Sequence, residues 1–70
     1  MKITDEQMFE LVTESQKSMR QSNWTLRKGQ ALMNSLYDIN RCVAQTIIGT
    51  EFDPFYDNSI IPKFFSYLNS

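Results

Sequence analysis

The chain predicts an all-α fold, a small bundle of three helices plus a short C-terminal helix, in a single helical domain over residues 1–70. Two observations carry this. Apolar residues recur at three- and four-residue steps through most of the sequence, which is the period of a one-sided helix. No window alternates apolar and polar residues for long enough to propose a strand, the pattern a half-buried strand would need.

The first helix is announced by Thr4, an N-cap residue with Gln7 three positions on, which together form a capping box. Ile3 and Met8 fill the two positions of a hydrophobic staple. Asp5 and Glu6 lie in the first turn, and Lys17 and Arg20 lie toward the end, both matching the helix dipole. Met8, Leu11, Val12, Ser15 and Met19 make one face. That face loses apolar character after Val12, so the second half is expected to be exposed or covered by a partner. Gln21-Ser22-Asn23 is the break.

A second helix is expected from Asn23 or Thr25 to about Asp38. Its buried stripe is Leu26, Gly29, Leu32, Met33 and Leu36, with Trp24 packing where the helix begins. Glycine costs about 1 kcal/mol against alanine inside a helix. Its presence at Gly29 therefore predicts a close helix crossing, since no side chain holds a neighbour away. Asn40 caps a third helix with Ile39, Val43 and Ile47 inward and Cys42 and Ala44 beside them; Gly49 follows as its C′ residue. Asp53-Pro54 is a cap-plus-N1 pair that can open one short helical turn, and Asp57-Asn58-Ser59 is turn chemistry. The last helix runs from about Ile60 to Leu68 and presents Ile61, Phe64, Phe65 and Leu68. Pro62 is tolerated there because it falls in the first turn.

Seventy residues bury only about 60% of the surface of the unfolded chain, so a domain of this size usually has a further support. Cys42 is the one cysteine and there is no histidine. That removes a disulfide within the chain and disfavours a structural zinc site, which takes about four Cys or His ligands. No cofactor and no metal are expected. Self-association or a partner remains, and a homo-oligomer is the expectation, with Phe64, Phe65 and Tyr67 contributing contacts. The single thiol and the absence of an apolar leader predict a reducing, cytoplasmic setting. No run approaches the roughly 18 apolar residues of a bilayer span, so no membrane partner is expected.

The net charge of −1 conceals a division. Residues 1–14 set Lys2 against Asp5, Glu6, Glu10 and Glu14. Residues 15–45 set Lys17, Arg20, Arg27, Lys28 and Arg41 against Asp38. Residues 46–70 set Lys63 against Glu51, Asp53 and Asp57. Acidic ends and a basic middle can orient two copies head to tail, or form a mixed solvated surface.

Enzyme chemistry finds little here. There is no histidine for general base work, no glycine-rich phosphate loop and no Cys-His or Ser-His pair. Glu51, Asp53 and Asp57 flank a Pro-aromatic turn and read as caps rather than as metal ligands. Cys42 reads as a small core residue. A nucleic-acid surface would draw on Lys17, Arg20, Trp24, Lys28 and Arg41, although the acidic pI of about 5.1 opposes it.

Two segments carry a further pattern: Arg27-x-Gly29-Gln30-Ala31-x-x-Asn34-x-Leu36, then Gly49-Thr50-x-x-Asp53-Pro54-Phe55-Tyr56. Over roughly residues 26–60 this resembles small proteins encoded by bacteriophages and prophages with an R-x-G-Q-A-x-x-N-x-L and D-P-F-Y pattern. The resemblance implies an origin rather than a mechanism. It draws attention to Arg27, Gln30 and Asn34, which fall on adjacent turns of one helix, and predicts an Arg27–Asp53 pair tying the segments together. The function expected is a non-enzymatic interaction protein that binds and modulates a host protein or defence factor, by inhibition. Its partner-binding residues would be Arg27, Gln30, Asn34, Phe55, Tyr56, Phe64 and Tyr67, since aromatics and arginine concentrate at interface centres. A small nucleic-acid-binding regulator is the alternative.

Overall fold

A computed structural model describes residues 2–70. Among them the chain is all-helical, with four α-helices: α1 Asp5–Gln21, α2 Lys28–Ile39, α3 Arg41–Ile47 and α4 Ile61–Asn69, the last preceded by a 3-10 turn at Asn58–Ile60. The expected three longer helices and one short one resolve into two long and two short, because α3 spans seven residues.

Local chemistry sets most of the boundaries. Thr4 Oγ1 accepts from the Gln7 N–H at 3.0 Å and Gln7 Oε1 accepts from the Thr4 N–H at 3.2 Å, completing the capping box. Ile3 is buried and Met8 packs against the core beside it, as the staple requires. Asn40 Oδ1 accepts from the Val43 N–H and starts α3. Gly49 ends that helix at φ 79°, the left-handed conformation glycine adopts without penalty.

α1 ends at the expected Gln21-Ser22-Asn23 break, but in a way that delays the start of α2. The helix continues to Gln21 and closes with a Schellman motif: the Trp24 N–H donates to the Met19 carbonyl at 2.8 Å, and the Asn23 N–H to the Arg20 carbonyl at 3.1 Å. Asn23 and Trp24 both stand in the left-handed region, at φ 57° and 65°. Asparagine accepts this readily, but a bulky residue does so only under strain. As a result α2 begins at Lys28 rather than at Asn23 or Thr25, and Trp24 is 65% exposed instead of packing at the helix start.

The core gathers Leu11 from α1, Leu32, Met33 and Leu36 from α2, Ala44 and Ile47 from α3, and Phe64 and Leu68 from α4. Ser15 lies buried on the α1 face, and its hydroxyl donates to the Val12 carbonyl at 2.9 Å, so its burial leaves no polar group unpaired. α1 and α2 form the most extensive interhelical contact, and α2 also packs on α3. The N-terminal strap closes the molecule, with the Lys2 N–H donating to the Leu68 carbonyl at 2.8 Å. The radius of gyration is 11.0 Å, the value of about 11 Å expected for a compact chain of this length. Cys42, expected in the core, is an exposed free thiol: α3 makes only two turns, and Ala44 and Ile47 use its inward side.

Candidate interaction surface

The two segments of the sequence pattern meet in space. The turn at residues 49–58 docks on the N-terminus of α2, and each of its three attachments involves a residue the pattern contains or adjoins. Asn58 Oδ1 accepts from the Gly29 N–H at 3.0 Å. Arg27, the N-cap residue of α2, makes no capping bond of its own. The first-turn amide at Gly29 would otherwise lack a partner, so a side chain 29 residues downstream supplies the cap. Arg27 Nη2 donates to the Phe55 carbonyl at 2.9 Å. The third attachment is steric. A Cβ added at Gly29 would collide with the Pro54 carbonyl oxygen and lie 2.8 Å from its carbon, so the glycine admits the buried Pro54 backbone. The close approach expected at Gly29 is present, but what approaches is a turn rather than a helix.

The predicted Arg27–Asp53 pair is replaced by this carbonyl contact, for a local reason. Both oxygens of Asp53 are already engaged: Oδ1 accepts from the Phe55 N–H and Oδ2 from the Gly49 N–H, each at 2.9 Å. Asp53 and Pro54 do not open a helical turn; the chain bends there and the 3-10 turn begins after Asp57. Asp57 Oδ1 accepts from both the N–H and the hydroxyl of Ser59. These bonds, the hydroxyl's first, hold its carboxyl below the ordinary value of 3.8. Asp53 and Asp57 thus serve as local caps, while Glu51 is exposed. Among the described residues no group of three or more His, Cys, Asp or Glu converges on one point.

Beside the docked turn lies a shallow cleft of about 220 Å³ lined by Met33, Asn34, Tyr37, Ile48, Phe55 and Tyr56, with Asp53 at its edge. Tyr56 is 82% exposed and Ile48 52%. Phe55 packs its ring edge-on against Tyr56, with centroids 4.8 Å apart. The Arg41 guanidinium lies 4.9 Å from the Tyr37 ring centre, a cation–π contact across the Asn40 break between α2 and α3. Gln30, half-buried, is one turn before Asn34 on α2.

The predicted partner residues therefore divide. Asn34, Phe55 and Tyr56 share one surface, and Arg27 supports it from behind. Phe64 does not belong with them: it is fully buried in the core and has no surface to offer. Tyr67 is engaged within its own chain, stacked on Phe52 at 4.8 Å, hydroxyl to hydroxyl with Thr46 at 3.1 Å, and with the Lys2 ammonium 5.2 Å from its ring centre. Tyr37 and Ile48 were missed. Tyr37 stands three residues after Asn34 on the same helical face, which the 3.6-residue period could have revealed; Ile48 sits just past α3 and carries no such signal.

The residues proposed for nucleic acid also divide. Arg20, Trp24 and Lys28 line a second, larger cleft between α1, α2 and α4. Arg41 is turned to Tyr37, and Lys17 is exposed on α1 outside that cleft. No helix among the described residues is long and apolar enough to cross a membrane. No protein-family model matches this chain, and comparison with curated proteins and with solved structures finds no match to either.

Proposed function

We propose that this chain is a non-enzymatic protein-binding module that acts by occupying a partner's surface, with Tyr56 as the anchor and Tyr37, Ile48, Asn34 and Phe55 around it. The partner proposed is a host protein whose action is blocked by the contact, a role that needs no catalytic residue of its own. One observation carries the reading. A large aromatic side chain is 82% exposed on a turn whose backbone is fixed by bonds from Arg27, Asn58 and Asp53. A tyrosine left in water by a rigid backbone loses little conformational freedom on binding, and rigid aromatic anchors supply much of the energy at interface centres. A turn that only linked two helices would not need three separate attachments to hold it.

The test compares the proteins retained from a host lysate by the wild-type chain and by Tyr56→Ala and Ile48→Asp. Both side chains are exposed, so both variants are expected to keep the wild-type circular dichroism spectrum and to melt within about 0.5 kcal/mol of it. A partner held by the wild type and lost by both variants supports the proposal. Retention of the same proteins by all three rejects this surface.

A further inference from the structure

One flank of α1, beside the side that packs on the core, remains largely open. Reading along it, Asp5 is followed by Phe9, Val12, Gln16, Met19 and Arg20, residues that share one edge of a helix at about 100° per residue. An acid stands at one end and a base at the other. Phe9 is 73% exposed near the acidic end. Near the basic end is the open cleft of about 620 Å³ floored by Leu32 and Phe65, walled by Met19 and Trp24, and rimmed by Arg20 and Lys28. No acidic side chain lines this cleft.

We infer that this face is covered by a second copy of the same chain, the two α1 helices running antiparallel across a twofold axis near Glu14. An isologous contact requires that a surface be its own complement on reversal, and here reversal brings the acidic end of α1 toward the basic end and Phe9 opposite Met19. With the axis at Glu14, Phe9 of each copy falls opposite Met19 of the other and enters the Met19–Trp24 cleft, while Val12 faces Gln16. Asp5 falls opposite Asn23, about one helical turn from Arg20. The two phenylalanine contacts lie about 15 Å apart along the helix, so the pair is fixed in register as well as in direction. Charge selects this orientation, because a parallel pairing would set Asp5 against Asp5 and Arg20 against Arg20. The backbone at Trp24 agrees with it. Its left-handed conformation, at φ 65°, holds an apolar ring out at the cleft margin where a burying contact would use it. The contact is independent of the Tyr56 surface, with which it shares no lining residue, so a dimer would present two such surfaces.

The test uses the full chain in sedimentation equilibrium from about 1 μM to about 1 mM, the range of a modest interface. The expected mass rises from 8.2 kDa to twice that value. Emission from Trp24, the one tryptophan, shifts to the blue over the same range. Phe9→Glu remains a single chain with an unchanged melting temperature. Trp24→Gly also remains a single chain, yet melts higher at low concentration because the backbone strain is gone; that combination separates loss of contact from loss of fold. Arg20→Asp weakens association at least tenfold, and adding Asp5→Arg restores it. Three results overturn the inference: one-chain mass throughout, a dimer indifferent to Phe9→Glu, or quenching of Trp24 by a single-stranded oligonucleotide with no doubling of mass.

Discussion

Replacing Gly29 by alanine sets two effects of similar size against each other. Helix propensity favours alanine by about 1 kcal/mol. Packing opposes it, because the new methyl would meet the Pro54 carbonyl oxygen, which is backbone and has no rotamer by which to move aside. Relieving such a clash typically costs about 1–3 kcal/mol, and shifting the turn also stretches the bond from the Gly29 N–H to Asn58 at 3.0 Å, worth about 1 kcal/mol. Gly29→Ala is expected to lower stability by about 1–3 kcal/mol, a fall in Tm of roughly 4–24 °C for a chain of this size. A thermal melt followed by circular dichroism checks it, and a rise in Tm would mean that the turn gives way freely. The sequence marks this position clearly, since a helix spends a glycine only for a reason; the glycine does not say whether a helix or a turn comes close. Arg27 has the same ambiguity. Its reach toward the acidic turn is legible, but its acceptor is decided by Asp53 having already used both oxygens locally.

Among the elements, those with their own start and stop signals were legible, and those completed from elsewhere were not. Thr4, Asn40 and Gly49 act within a few residues of themselves, so α1 and α3 begin where the Thr4 and Asn40 side chains cap them, and α3 ends where the Gly49 backbone turns left-handed. α2 has no local cap and starts several residues later than its apolar pattern suggests, at the point where Asn58 can reach it. The 3-10 turn offers a pH test of such capping. Asp57 is held below its ordinary 3.8 by the Ser59 hydroxyl and N–H. A carboxyl whose folded pKa is depressed contributes stability that is present above the unfolded value and lost as pH falls through the folded one. Urea unfolding of the wild type is therefore expected to weaken below about pH 4. Asp57→Asn, which cannot titrate, should lose less over the same interval. Equal acid sensitivity in the two proteins would show that the cap contributes nothing.

For the whole molecule, the C-terminal segment brings more aromatics than so short a chain can readily bury. The structure divides them: Phe64 is fully buried, Phe65 and Tyr67 are half-buried, and Tyr56 stands in solvent. Sequence periodicity placed Phe64 and Phe65 together on one face of α4; only the meeting of that helix with α1, α2 and α3 decides which ring goes inside. Phe64→Ala is expected to cost about 3–5 kcal/mol. A chain of this length has only roughly 4–10 kcal/mol in total, so the variant should be largely unfolded at 37 °C by circular dichroism. A cooperative melt close to the wild type's would place the core elsewhere. The candidate surface was legible only where pattern residues happened to lie on it, as at Asn34, Phe55 and Tyr56.

The cap that Asn58 provides also bears on how the chain is made. The Gly29 amide leaves the ribosome long before its acceptor does, because 29 residues separate them. At about 5–20 residues per second that interval is roughly 1.5–6 s. During it α1 and the body of α2 can pair, but the first turn of α2 stays frayed and open to water. Arg27 receives its partner when Phe55 emerges and Gly29 only when Asn58 does, and until then the turn that carries Tyr56 is not fully fixed to α2. A nascent chain stalled before Asn58 would therefore carry the Tyr56 turn held by Arg27 alone, without the cap that anchors it at Gly29.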